Sequence, residues 1–138
     1  MNVITAYDVP DSPARAGDGK RPRVRIAAVQ DRWHADPDIH RAALSAGVAA
    51  AADEGAQLVC LMELTLSPYF AITADGPAAV GREPERLPGG PTYNLAAELA
   101  ARHQIYVHAS LWEAPESPDP DGRAYNTCLL YTSDAADE

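Results

Sequence analysis

The chain has 138 residues, of which 46% are hydrophobic, and its formal net charge is −9. This length suits one modest domain with a real core, provided that most of the chain takes part in it. Its acidic balance should repel phosphate backbones and anionic lipid surfaces, so we expect neither a nucleic-acid partner nor a membrane partner. Two cysteines give no disulfide framework, which favours a cytoplasmic protein.

The first elements follow from apolar runs and capping residues. Residues 1–22 mix Pro, Gly and charged residues without an apolar period, and we interpret them as a mobile leader. The run "VRIAAVQ" at 24–30 predicts a central strand that is covered on both faces. Asp36 as N-cap and Pro37 in the first turn then predict a helix over 37–54, which Gly55 ends.

The rest of the chain continues the alternation of strands and helices. The run "QLVCLME" at 57–63 predicts a second buried strand, so the strand–helix–strand order indicates a parallel βαβ unit. A helix is predicted over 92–103, and strands over 105–113 and 124–130 could pair as a hairpin. The predicted fold class is α/β.

Glu63 closes the apolar second strand, where a charged residue is unexpected. In open α/β sheets, ligands gather outside the carboxyl ends of the strands, so a reactive group is expected at this position. The loop that follows, with Tyr69 and Phe70, could form the wall of a small pocket. Spacing alone leaves open whether Glu63 has a chemical role or simply meets solvent at a strand end.

Five segments, "RIAAVQ", "AQLVCLMEL", "SPYF", "LPGGPTYNLAAELAARHQIYVHASLWE" and "AYNT", resemble the opening half of the nitrilase superfamily of carbon-nitrogen hydrolases. The resemblance spans residues 24–127. It implies an αββα sandwich, of which this chain would hold a part that stops after the fourth strand. The family pairs this fold with a second subunit, so the full-length protein is expected to be a homo-oligomer.

The resemblance also implies a triad of cysteine, lysine and glutamate. The thiolate attacks a nitrile or amide carbon, the glutamate is the general base, and the lysine supports the oxyanion. Glu63 matches the glutamate, and its apolar strand should desolvate it partly, as such a base requires. Tyr69 and Phe70 are the best candidates for the substrate pocket. We expect no cofactor and no metal, since the histidines show no metal-ligand spacing.

The other two members of the triad do not carry over, because both follow the "YNT" strand in the family. Lys20 lies in the leader, Cys60 precedes Glu63 within a strand, and Cys128 follows "YNT" too early. We therefore expect the chain alone to be inactive.

Residues 23–127 are interpreted as the N-terminal part of a carbon-nitrogen hydrolase domain. The ending "CLLYTSDAADE" at 128–138 is interpreted as a non-native tail resembling a translated sequencing adapter, although a genuine acidic tail is the alternative.

Three points stay open in the sequence. "SPYF" and "YVHASLWE" are similar to the aliphatic amidase and carbamoylase side of the family, which favours a small-molecule amide or N-carbamoyl substrate over a nitrile. His108 is either a satisfied core histidine or a residue behind the pocket. The alternative function is a small non-catalytic α/β binding or interaction domain in which Glu63 is a solvated strand end.

Overall fold

The computed structural model describes residues 2–6, 22–117, 119–121 and 123–132. Its elements in chain order are β1 (Ile26–Ala28), α1 (Pro37–Asp53), β2 (Leu58–Cys60), two short 3-10 helices (Phe70–Ile72 and Gly76–Val80), α2 (Pro91–His103), β3 (Tyr106–Glu113) and β4 (Tyr125–Tyr131). Most of the proposed leader, including Lys20, and residues 133–138 of the proposed tail lie outside the described residues.

The four strands form one mixed sheet in the order β1-β2-β3-β4. Strand β2 is parallel to both β1 and β3, which confirms the predicted βαβ unit, and β4 runs antiparallel to β3. Strand β4 continues past residue 127 to Tyr131, which is opposite Val107 of β3. The predicted α/β class and the pairing of the last two strands are therefore confirmed.

Helix α1 begins as the sequence predicts. The side chain of Asp36 accepts hydrogen bonds from the N–H groups of Asp38 and Ile39 at 2.9 and 3.1 Å, and Pro37 occupies the first turn. After the helix ends, Gly55 has a φ of +82°, a backbone conformation that glycine adopts without strain. The helix thus has a defined start and a defined end.

Both helices cover the same face of the sheet. The buried core between them and the strands contains Leu44, Val48, Val59, Leu95, Leu99 and Val107. The opposite face has no helix in the described part of the chain, and Ile26, Tyr106 and Leu130 on it are 61%, 50% and 58% exposed. The result is one helix layer on one sheet layer, a part of an αββα sandwich.

The expected position of the first strand is wrong for the described residues. We predicted a central strand covered on both faces, whereas β1 lies at the edge of the sheet and Ile26 is exposed. Its apolar sequence carries no information on which neighbours it has, because a short apolar run looks the same at an edge and in the centre. The exposed side follows from the single helical layer.

Candidate functional site

Glu63 does not belong to a strand. The predicted strand over 57–63 is too long, since β2 ends at Cys60 and residues 63–66 form a turn. The N–H of Leu61 still donates to the carbonyl of His108 at 2.8 Å, but the next bond in the ladder joins the N–H of Thr65 to the carbonyl of Ser110, also at 2.8 Å. Between these two bonds the chain advances by four residues after β2 but by only two residues along β3.

Two extra residues interrupt a parallel ladder in which the steps on both strands should be equal. Thr65 closes the interruption, because its hydroxyl oxygen accepts from the N–H of Ser110 at 3.1 Å and its own hydroxyl donates to the carbonyl of Met62 at 2.8 Å. In a regular ladder, a main-chain carbonyl would accept from the N–H of Ser110. The interruption pushes Glu63 out of the sheet.

The residue after Glu63 has an unusual backbone conformation. Leu64 has a φ of +53°, in the left-handed region that bulky residues rarely adopt, and its side chain is buried. Its N–H donates to the hydroxyl oxygen of Ser110 at 3.2 Å. Backbone strain of this kind persists only where the surroundings hold it, and it concentrates at functional sites.

The carboxylate of Glu63 interacts with two side chains. The side-chain amide of Asn126 on β4 donates to its Oε1 at 2.7 Å. The hydroxyl of Tyr69 faces the same carboxylate, which raises the pKa of Tyr69 above its ordinary value as a hydrogen-bond acceptor and as a negative charge. Glu63 itself is exposed in the described structure, so the expected desolvation is wrong here, because the turn carries the side chain out of the sheet.

Glu63 is part of the wall of a cavity of about 310 Å³. That volume is in the range of sites for small molecules. The cavity is lined by Asp31, Trp33, His40, Met62, Glu63, Leu64, Thr65, Ser67 and Tyr69. A second cavity of about 460 Å³ shares four of these residues, namely Trp33, His40, Leu64 and Ser67, so the two spaces adjoin.

The structure separates the two candidates for the pocket wall. Tyr69 is 46% exposed and lines the smaller cavity beside Glu63. Phe70 is turned inward, where its ring packs edge-on against Trp112 with centroids 5.3 Å apart, and it is not among the residues that line these two cavities. Phe70 therefore anchors the loop that carries Tyr69.

Sequence reasoning did not assign a role to Asn126 or Ser110, the residues that orient Glu63 and hold its turn. The motif "YNT" contains Asn126, but the contact joins positions 63 residues apart. The thiols of Cys60 and Cys128 are unpaired. His108 lies on the sheet face without helices, beside Cys60, and its Nδ1 has no hydrogen-bond partner in the described structure.

Neither a metal-binding cluster nor a membrane-spanning helix is found among the described residues. No group of three or more His, Cys, Asp or Glu side chains is arranged to hold a metal ion there. Within the same residues, neither helix combines the length and the apolar character that crossing a membrane requires.

Comparison with known proteins addresses the family and the fold. The family model described as carbon-nitrogen hydrolase matches residues 25–136. A carbon-nitrogen hydrolase from Helicobacter pylori G27 has a similar solved structure, with a TM-score of 0.58 and 17% sequence identity. The match covers 80% of this chain and 36% of that one, so this chain spans little more than a third of its length. No curated protein matches the chain. Because the family model covers most of the sequence, the chain belongs to the carbon-nitrogen hydrolase family, the nitrilase superfamily.

Proposed function

We propose that this chain is the N-terminal part of a hydrolase that cleaves the carbon-nitrogen bond of a small amide or N-carbamoyl compound, with Glu63 as the general base. One observation carries the proposal: Glu63 is extruded from the sheet into the wall of a cavity, where Asn126 and Tyr69 hold its carboxylate. A carboxylate that merely ended a strand would require neither the interrupted ladder nor two dedicated donors.

In the proposed reaction, a cysteine that does not belong to these 138 residues supplies the nucleophile. Its thiol proton passes to Glu63 as sulfur attacks the carbonyl carbon, and a lysine, also supplied from elsewhere, stabilises the oxyanion. The tetrahedral intermediate then breaks its carbon-nitrogen bond, and Glu63 returns the proton to the departing ammonia. Water attacks the resulting thioester while Glu63 takes one of its protons, and that proton restores the thiol as the acid is released.

The contacts of Glu63 support this role. The Nδ2 of Asn126 and the hydroxyl of Tyr69 are both donors, and the carboxylate oxygens accept, so these contacts orient the group that would take the proton. Tyr69 also faces the cavity, where it can contact a substrate. A base must lie within hydrogen-bond reach of the proton that it accepts, and exposure of Glu63 to the cavity allows that.

The preference for an amide or N-carbamoyl substrate over a nitrile rests on sequence likeness in two segments. These are residues 67–70, of which Ser67 and Tyr69 line the smaller cavity, and β3. A panel that compares aliphatic amides, N-carbamoyl compounds and nitriles of similar size tests this preference. Faster turnover of a nitrile than of its matched amide would reject it.

The test of the general base uses the protein expressed with the sequence that continues its gene. Ammonia release is measured for Glu63→Gln, which keeps the size of the side chain and removes its basicity. We expect a loss of about 10²–10⁴-fold in kcat, the usual contribution of acid–base catalysis. Glu116→Gln is the matched control, because Glu116 is exposed and lines neither cavity.

Activity that survived Glu63→Gln would eliminate the assignment of the base. We also propose that the 138-residue chain alone releases no ammonia, because the cysteine and the lysine come from outside it. Ammonia release by this chain alone would contradict that. If the continuation of the gene supplied neither residue, the non-catalytic binding domain would replace the hydrolase.

Compartment and partners are part of the same proposal. Two unpaired thiols support a reducing compartment, and we propose a cytoplasmic protein. The net charge of −9 supports a protein that binds neither nucleic acid nor membranes. A homo-oligomer of the full-length protein is proposed from the family likeness, and sedimentation of that protein tests it.

A further inference from the structure

Four polar residues are fully buried in the described structure: His40, Thr65, Thr92 and Ser110, each at most 2% exposed. Buried polar side chains need hydrogen-bond partners, so their contacts show what holds them in the core. Thr92 lies in the first turn of α2 and bonds the carboxylate of Glu85. The other three all converge on the turn that carries Glu63.

These three residues reach the turn from two sides. His40, on α1, places its Nε2 2.9 Å from the carbonyl oxygen of Thr65, and since a carbonyl only accepts, the ring donates this bond. From β3, the main chain of Ser110 bonds the main chain and the hydroxyl of Thr65, while its side chain accepts from Leu64. The helix thus holds Thr65 through one bond, and the sheet holds both Leu64 and Thr65, directly after Glu63.

We infer that His40, Thr65 and Ser110, here named the polar clamp, are positioning residues that fix the direction in which Glu63 points. A regular strand would satisfy the same main-chain groups without any buried side chain, so the polar clamp exists only because the turn is inserted. Leu64 is strained, and strain at one residue persists only when its neighbours are held. The positioning role rests on the proposed function of Glu63, whereas the geometry of the clamp does not.

The contact between Glu63 and Tyr69 provides a readout of this geometry without catalysis. When Glu63 keeps its direction, its hydrogen bond raises the pKa of the Tyr69 hydroxyl. The ionisation of Tyr69 is followed in the 138-residue chain by ultraviolet difference spectroscopy or by NMR of labelled tyrosine. Tyr69→Phe identifies the signal of this residue among the six tyrosines.

The decisive comparison is Thr65→Val against Thr92→Val. Both substitutions remove a hydroxyl from a fully buried threonine, but only the first acts on the turn. We expect Thr65→Val and Ser110→Ala to return the pKa of Tyr69 toward its ordinary value, while Thr92→Val leaves it raised. Thr65→Ser, which restores the hydroxyl, should keep it raised.

An unchanged titration of Tyr69 in Thr65→Val would overturn the inference, and so would an equal shift in Thr92→Val, which would indicate general loosening. If Thr65→Val does not fold, hydrogen exchange in the unmodified chain decides instead. The N–H groups of Leu64 and Thr65 should then exchange as slowly as those of β3. Exchange as fast as in the exposed residues 81–83 would reject the clamp.

The two proposals can fail separately. If Glu63→Gln keeps full activity while Thr65→Val still shifts the titration of Tyr69, the polar clamp stands and the base assignment falls. If Glu63→Gln abolishes activity and Thr65→Val changes neither the titration nor kcat, the base stands and the polar clamp falls.

Discussion

The side-chain amide of Asn126 joins β4 to the turn of Glu63, with its Nδ2 2.7 Å from the Oε1 of that carboxylate. On its other side, the Oδ1 of Asn126 lies 3.4 Å from the hydroxyl of Ser110. One amide therefore connects the exposed carboxylate with the buried residues that hold its turn. The carboxylate depends for its direction on a strand that lies far from it in the sequence.

Asn126→Ala should lower kcat about tenfold in the longer protein of the proposed function, which also supplies the cysteine and the lysine. Losing a hydrogen bond to a charged group costs about 1.5 kcal/mol, which corresponds to this factor. The KM should change little, since Asn126 does not line either cavity. The rate of ammonia release at saturating amide measures the effect. Asn94→Ala is the control, because the side chain of Asn94, on α2, donates to the carbonyl of Gly89 and does not contact Glu63. Equal losses in the two variants would argue against the assigned role.

Tyr69 should make stability fall at high pH. Its pKa is raised in the folded state by the bond to Glu63, so the folded state holds the proton more tightly than the unfolded state does. This contribution is fully present below the unfolded pKa of about 10 and is lost as the pH rises through the folded pKa. Tyr131, whose pKa is raised mainly by its hydrogen bond with Tyr93, acts in the same direction.

Urea unfolding between pH 8 and pH 11 tests the contribution of Tyr69. The free energy of unfolding should fall less steeply with pH in Tyr69→Phe than in the unmodified chain, while Tyr131 contributes equally to both. Tyr125→Phe, at an exposed position of β4, serves as the control. Identical slopes for Tyr69→Phe and the unmodified chain would show that the bond to Glu63 is absent in solution.

Sequence reasoning succeeded where local patterns determine the outcome. Helix α1 begins at Pro37 because Asp36 bonds its first N–H groups, and such a cap is visible within four residues of sequence. The parallel arrangement of β1 and β2 also followed from the order of elements. These features need only neighbours along the chain or a rule of chain topology.

The end of β2 was not predictable for a physical reason. Apolar residues continue beyond Cys60 at Leu61, Met62 and Leu64, so the sequence pattern of a strand extends past the end of the regular hydrogen-bond ladder. The inserted turn is visible only in the pairing with β3, since the mismatch lies between two strands. The contact of Asn126 with Glu63 is likewise a long-range one, which no local window contains.

The start of α2 shows a similar limit. The predicted helix begins at residue 92, but α2 begins at Pro91 and its N-cap residue is Gly90, which makes no side-chain cap bond. The carboxylate of Glu85 takes that place, accepting from the N–H and from the hydroxyl of Thr92, both at 2.8 Å. A negative charge at a helix N-terminus is favourable, so the protein supplies its own anion there.

Glu85→Ala should therefore destabilise the chain by about 1 kcal/mol, the usual effect of losing a helix cap. Glu83→Ala is the matched control, because Glu83 lies two residues earlier in the same loop and is exposed. Denaturation by urea measures both free energies of unfolding. A loss no larger for Glu85→Ala than for Glu83→Ala would mean that the cap does not stabilise α2.

Leu44→Ala should destabilise the chain by about 2–5 kcal/mol, because Leu44 is fully buried between α1 and the sheet and the smaller side chain leaves a cavity. Ile39→Ala is the control on the same helix, since Ile39 is largely exposed and should cost far less. Urea unfolding of the two variants makes the comparison. Similar losses would show that α1 does not pack on the sheet as described.

The two extra residues after β2 also decide which side chain takes the next inward-facing position of the ladder. Val59 and Leu61 both belong to the core, so in an unbroken strand the side chain of residue 63 would come next on the same buried face. The insertion delivers Thr65 to that ladder position and spares the core an unpaired carboxylate. Deletion of residues 64 and 65 should thus abolish folding. The same deletion combined with Glu63→Val should fold, with a regular strand through position 63 and no carboxylate there. Circular dichroism measures both outcomes.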